Sequence, residues 1–81
     1  MRVLKFYADW CGPCKALSAT LEGMEGLPEI ENIDIDQNNE TAIKYGVRSV
    51  PTLIMVSEDG SEMKRQTGSL PAGELQKWMS V

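Results

Sequence analysis

Short apolar runs alternate with stretches of helical spacing along the 81-residue chain. Val3 to Ala8 is the first run. A period of two puts Leu4 and Phe6 on one face of a strand and Val3, Lys5 and Tyr7 on the other. From Gly12 to about Glu25, Cys14, Leu17, Leu21 and Met24 recur at helical spacing, and Gly26-Leu27-Pro28 closes the stripe. Glu29 to Ile35 reads as a second strand with Ile33 and Ile35 inward. Strand, helix and strand of these lengths predict a right-handed parallel crossover. A short helix follows, capped by Asn38 or Asn39 and stopped at Gly46, with Ala42, Ile43 and Tyr45 as its apolar residues. Leu53 to Val56 is apolar without interruption, as in a strand buried on both faces. Glu58-Asp59-Gly60-Ser61 is a hairpin signal. Ser61 to Thr67 is more polar and suits a sheet edge. Leu70 to Met79 forms the last helix, with Leu75, Trp78 and Met79 inward and Trp78 read as core. The order βαβαββα predicts an α/β fold, one mixed four-stranded sheet with helices on both faces.

Composition narrows this little. Residues 1–81 suffice for one small domain, and 42% hydrophobic with 25% charged residues suits a globule rather than a disordered tail. The net charge of −4, with no basic cluster beyond Lys64-Arg65, argues against nucleic acid as a partner. No apolar run approaches the length of a membrane span. Met1-Arg2 leads straight into a strand with no cleavage signal, so a cytoplasmic, reducing location is expected.

The chemistry lies in Trp10-Cys11-Gly12-Pro13-Cys14-Lys15, which holds both cysteines. The chain has no histidine, so Ser-His and Cys-His catalysis are excluded. A structural zinc site wants four ligands, and two cysteines supply half of them, so no metal is expected. As a staple, a bridge over so short a loop would stabilise little by restricting chain entropy. What remains is a packed thiol pair or a redox pair. A C-x-x-C at the junction of a strand and a helix favours the redox reading. Unpaired N–H groups and the positive end of the helix dipole stabilise a thiolate there. Cys11 is expected just before the first turn and more exposed. Cys14 is expected inside it and shielded, within reach of a mixed disulfide on Cys11. Gly12 allows the tight turn, and Pro13 suits the first helical position.

The same hexapeptide is similar to the active-site sequence of the thioredoxins, and the resemblance runs nearly the whole chain. Phe6-Tyr7-Ala8-Asp9, Asp34-Ile35-Asp36-Gln37-Asn38, Lys44-Tyr45-Gly46-Val47-Arg48, Val50-Pro51-Thr52, Asp59-Gly60 and Gly68 follow in the family's order. The resemblance implies the thioredoxin-like fold in a glutaredoxin-sized form, without the strand and helix that usually come first. It implies a cis Val50-Pro51 bond lying against the sulfurs and keeping metals off them. It also implies a substrate surface of Trp10, Val50, Pro51 and Gly68, with Gly12, Pro13 and Lys15 shaping the site. Cys11 would attack a protein disulfide and Cys14 would resolve the mixed disulfide, with no cofactor. The implied donor is an NADPH-dependent thioredoxin reductase, and the implied substrates are such proteins as ribonucleotide reductase or a peroxidase. The chain is expected to be a monomer.

Three positions depart from the pattern. Ala19 stands where a kinking proline is usual, which predicts a straighter helix. Lys5 stands where most thioredoxins bury an aspartate, and Asn32 where they have a lysine. Lys5 has two readings: an ammonium that favours thiolates, or an exposed side chain on an open face. Two other functions compete with the main reading. A glutathione-dependent, glutaredoxin-like protein fits the size but not Trp10 or Gly12-Pro13. A non-catalytic binding subunit conflicts with the intact cysteine pair.

Overall fold

Seven elements follow one another in a computed structural model that describes residues 1–80. They are β1 (Arg2–Tyr7), α1 (Gly12–Glu22), β2 (Glu29–Asp34), α2 (Asn39–Lys44), β3 (Thr52–Val56), β4 (Glu62–Thr67) and α3 (Ala72–Met79). The strands form one sheet in the order β2-β1-β3-β4. β1 runs parallel to β2, with Arg2 opposite Glu29 and Tyr7 opposite Asp34. It runs antiparallel to β3, which pairs antiparallel with β4. A crossover helix is required between β1 and β2 because parallel neighbours cannot be joined by a hairpin.

Period-two alternation sorts β1 as its sequence demands. Val3 joins Leu53 and Met55 of β3 on one face, covered by Leu17 and Leu21 of α1 and Leu75 and Met79 of α3. Leu4 and Phe6 join Ile54 and Val56 on the other face, with Ile33 of β2 and Ala42 of α2. Phe6 meets the Tyr45 ring at 6.0 Å and a 60° tilt, a favourable aromatic geometry. Every residue of β3 is buried, because α1 and α3 cover one of its faces and α2 the other. β4 is the polar edge, reached through a turn in which Gly60 takes φ 87°, a conformation open to glycine at little cost.

Element types and order match the sequence expectation; several boundaries and faces do not. α1 stops at Glu22 rather than Glu25. Gly23, a poor helix former, supplies the C-cap, its N–H bonding back to Leu21 and Thr20 carbonyls. Met24 therefore packs on the core from beyond the helix. α3 begins at Ala72, not Leu70. Proline at 71 keeps the residue before it out of the helical region. Ile43 is 69% exposed, so the covered face of α2 rests on Ala42 with Tyr45 beside it. Asn38 occupies the N-cap of α2 without a capping side-chain bond, its amide instead donating to the Asp34 carbonyl at 3.4 Å. Ile35 lies just past the end of β2, half-buried. Trp78 is partly buried against the core, with the Lys64 ammonium 5.1 Å from its ring.

Candidate active site

β1 ends at Tyr7 and α1 begins at Gly12, so the cysteine motif falls at the C-terminal edge of a central strand. Sites in α/β sheets form there. Cys11 is the N-cap of α1, with extended φ −90° and ψ 109°. Its Sγ accepts a hydrogen bond from the Cys14 N–H at 3.1 Å. The first turn leaves such N–H groups without helical partners. Gly12 and Pro13 fill its opening positions, Pro13 one place later than expected. A proline there costs no bond, and it leaves the Cys14 N–H as the donor an N-cap side chain can reach.

Cys11 and Cys14 are joined in a disulfide with their Cα atoms 5.3 Å apart, inside the usual range. Both are buried, at 4% and 3% exposure. The expected contrast, with Cys11 the more open, is absent. Val50 packs against Cys11. Its backbone carbonyl lies 3.7 Å from Cys11 Sγ. Val50, Ile35 and Tyr7 pack around the small cluster of Ala8, Cys11 and Cys14.

The Val50-Pro51 peptide bond is cis. Pro51 is fully buried at the head of β3, and its carbonyl accepts the Gly68 N–H at 2.8 Å. Gly68, at φ 91°, is thereby tied to the same loop. Cys11, Cys14, Val50, Pro51 and Gly68 thus form one connected group. Trp10 stands beside it, 69% exposed, its indole N–H donating to Asp36 Oδ2 at 3.0 Å. Asp36 was not singled out from the sequence; only its place in the Asp34-to-Asn38 segment pointed toward it.

Lys5 lies on the inner side of the motif and is buried, at 8% exposure, which excludes the open-face reading. Its Nζ donates to Ser18 Oγ at 2.5 Å and sits 5.9 Å from the Tyr7 ring centre. Burial pushes the Lys5 pKa below 10.5, with the Glu22 carboxylate pulling the other way. Ser18 is a second residue the sequence reading passed over. Its position four residues after Cys14, on the same helix face, was the available signal. Lys15 and Cys14 line a groove of about 300 Å³ with Ser18.

The arrangement holds two sulfurs at a helix N-terminus, with the Val50 backbone beside them. It can store and release two electrons as a dithiol and a disulfide. Among the described residues, no group of three or more potential ligands could hold a metal ion. No described helix is long and apolar enough to cross a membrane.

Comparison with known proteins agrees with this chemistry. The thioredoxin family model matches residues 1–81. The chain is 42% identical over 76 residues to a thioredoxin of Bacillus subtilis, covering 89% of this chain and 72% of that one. It is 40% identical over 79 residues to a thioredoxin of Staphylococcus aureus, covering 93% and 75%. Among solved structures, Fasciola hepatica thioredoxin superposes with a TM-score of 0.85 at 33% identity, covering 98% of this chain and 77% of that one. A mutant thioredoxin from Halobacterium salinarum superposes at 0.82 and 34% identity, covering 96% and 70%. Sequence, fold and the bridged cysteine pair place the chain in the thioredoxin family, whose members are protein-disulfide oxidoreductases.

Proposed function

We propose that residues 1–81 act as a single, monomeric domain that reduces protein disulfides in the cytoplasm. The reduced Cys11 thiolate attacks one sulfur of a substrate disulfide. That S–S bond breaks, one substrate thiolate leaves and takes a proton from solvent, and a mixed disulfide forms on Cys11. The Cys14 thiolate then attacks Cys11 Sγ and expels the second substrate thiolate. Two electrons have passed to the substrate, and the Cys11–Cys14 disulfide is restored. An NADPH-dependent thioredoxin reductase returns the two electrons. Disulfides of ribonucleotide reductase or of a peroxidase are the substrate class.

One observation carries the reading. The Cys11 sulfur sits at the N-cap of α1, with the Cys14 N–H on it and the Val50 carbonyl beside it. The N–H favours the thiolate. The Val50 backbone offers main-chain hydrogen bonding to an extended substrate segment, which gives affinity with loose sequence demands. Trp10, Pro51 and Gly68 complete the substrate surface, and Gly12, Pro13 and Lys15 set the shape of the turn.

The test is turnover of insulin disulfides, followed as NADPH consumption. One assay contains thioredoxin reductase; another contains glutathione with glutathione reductase. The proposal expects turnover in the first and none with Cys11→Ser. Turnover confined to the glutathione assay would instead make the chain a glutaredoxin-like carrier. No turnover in either, with thiols shown to be reduced, would leave a binding subunit.

A further inference from the structure

Two grooves meet on the inner side of α1. The larger, of about 480 Å³, is lined by Lys5, Tyr7, Ser18, Glu22, Asn32 and nearby leucines and isoleucine. The smaller, of about 300 Å³, is lined by Cys14, Lys15, Ser18, Glu22 and residues 7–9. Tyr7, Ser18 and Glu22 border both. Among them, Ser18 is the side chain that accepts a hydrogen bond from Lys5.

Its hydrogen bonding has a direction. The Lys5 ammonium can only donate, so Ser18 Oγ accepts and the serine O–H is left free to donate. Ser18 lines the smaller groove together with Cys14. Ammonium and hydroxyl form a chain of donors, the second polarised by the first. Such a chain favours a negative charge at its end.

We infer that Lys5, acting through Ser18, is a positioning residue for the resolving step, stabilising the Cys14 thiolate from the groove behind the disulfide. This rests on the exchange reaction proposed above and assigns the control of its second half. No bond is made or broken at Lys5.

Other charges face these grooves. Glu22 of α1 borders both, Asp9 and Lys15 border the smaller one, and Asp34 of β2 lies across from Tyr7. Tyr7 adds a phenol. Asp9, Lys15 and Glu22 are exposed and screened by salt, whereas Lys5 is not. Asp34 spends its Oδ1 on the Asp36 N–H. The burial that lowers the Lys5 pKa marks a charge in a poorly solvated place, where its influence on a neighbour is greatest. Residues four apart on a helix face start about 5–6 Å from one another. One hydrogen bond more puts the ammonium roughly 8–10 Å from the thiol. At an effective dielectric of about 20, that shifts a thiol titration by about one pH unit.

The experiment uses the full chain with Cys11→Ser, so that Cys14 is the only thiol. Its titration is followed by thiolate absorbance, which does not depend on exchange activity. Adding Lys5→Met should raise the Cys14 midpoint by about one pH unit, and Ser18→Ala should raise it by less. Lys64→Met, on β4 over Trp78, serves as a control and should not move it. An unmoved or lowered midpoint in folded Lys5→Met overturns the inference. Should that variant not fold, the reciprocal measurement keeps Lys5 in place. By linkage, removing the thiol with Cys14→Ser must lower the alkaline Lys5 titration by the same factor, read by NMR at Nζ. An unchanged Lys5 titration overturns the inference as well. Failure of insulin turnover with these titrations intact would refute the proposed function alone.

Discussion

Replacing Cys11 by alanine and by serine separates the chemical role of its sulfur from its structural one. Neither variant can form the bridge, so both should lose disulfide exchange. Their stabilities should differ. The Cys11 side chain accepts the Cys14 N–H at 3.1 Å, at the N-cap of an 11-residue helix with no acidic residue in its first turn. Pro13 brings no N–H of its own. Serine keeps an acceptor in this position, and alanine does not. Loss of an N-cap acceptor costs about 1 kcal/mol, within a range of roughly 0.5–2. The Cys14 N–H is buried, so leaving it unpaired moves the cost toward the upper end, ~1–3 kcal/mol. A domain of this size has only about 4–12 kcal/mol in total, at roughly 0.05–0.15 per residue. In a chain this small, each kcal/mol is about 4–8 °C of melting temperature. Thermal unfolding followed by circular dichroism, with reductant to prevent intermolecular bridges, should put Cys11→Ala at least 4 °C or so below Cys11→Ser. Coincident melting curves would refute the reasoning, because the N–H held to the sulfur would then hold nothing up. The contact that stabilises a thiolate would lose its support too.

Other outcomes follow from the same structure. Leu17 is fully buried between α1 and the sheet, so Leu17→Ala should cost about 2–5 kcal/mol in urea unfolding. A loss well under 1 kcal/mol would mean that this face does not hold α1 down. Gly68 has φ 91° with open space where a Cβ would sit. Gly68→Ala should therefore cost ~1–2 kcal/mol through backbone strain alone, and equal stability would contradict that. Lys5 has its folded pKa below the unfolded value of 10.5 because burial disfavours its charge. Between those two values the unfolded chain binds more protons, so stability rises with pH. Lys5→Met should then be the more stable protein at neutral pH, with the gap narrowing as the medium becomes alkaline. A gap independent of pH would oppose this account of Lys5.

Most of the fold was legible because the strands differ in kind. β1 alternates between two cores, β3 is apolar from Leu53 to Val56, and β4 is polar, which assigns centre, centre and edge before any pairing is known. The cysteine motif declared its place because glycine and proline between two cysteines suit a helix start. Exposure was harder to read. Ile43 has an apolar side chain but lies on the solvent face of a six-residue helix, too short to fix its own phase. The burial of Cys11 depends on Val50, 39 residues away along the chain. Lys5 was ambiguous for a related reason. Its cover comes from Ser18 and α1, and a lysine's own chemistry favours neither outcome until that cover is in place. The Trp10–Asp36 bond likewise joins segments 26 residues apart that no local pattern connects.

The division of labour between the two sulfurs is the central claim, and burial does not decide it, since both are nearly inaccessible in the disulfide form. The direct measurement is to trap the mixed disulfide. Cys14→Ser and Cys11→Ser would each be mixed with an excess of a protein disulfide, and the adducts identified by mass spectrometry. The account predicts a covalent adduct on Cys11 that accumulates in Cys14→Ser, because nothing remains to resolve it. It predicts almost none in Cys11→Ser, where Cys14 stands alone inside the first turn and the N-cap carries no sulfur. Rapid adduct formation on Cys14, or an equal yield in both variants, would contradict it.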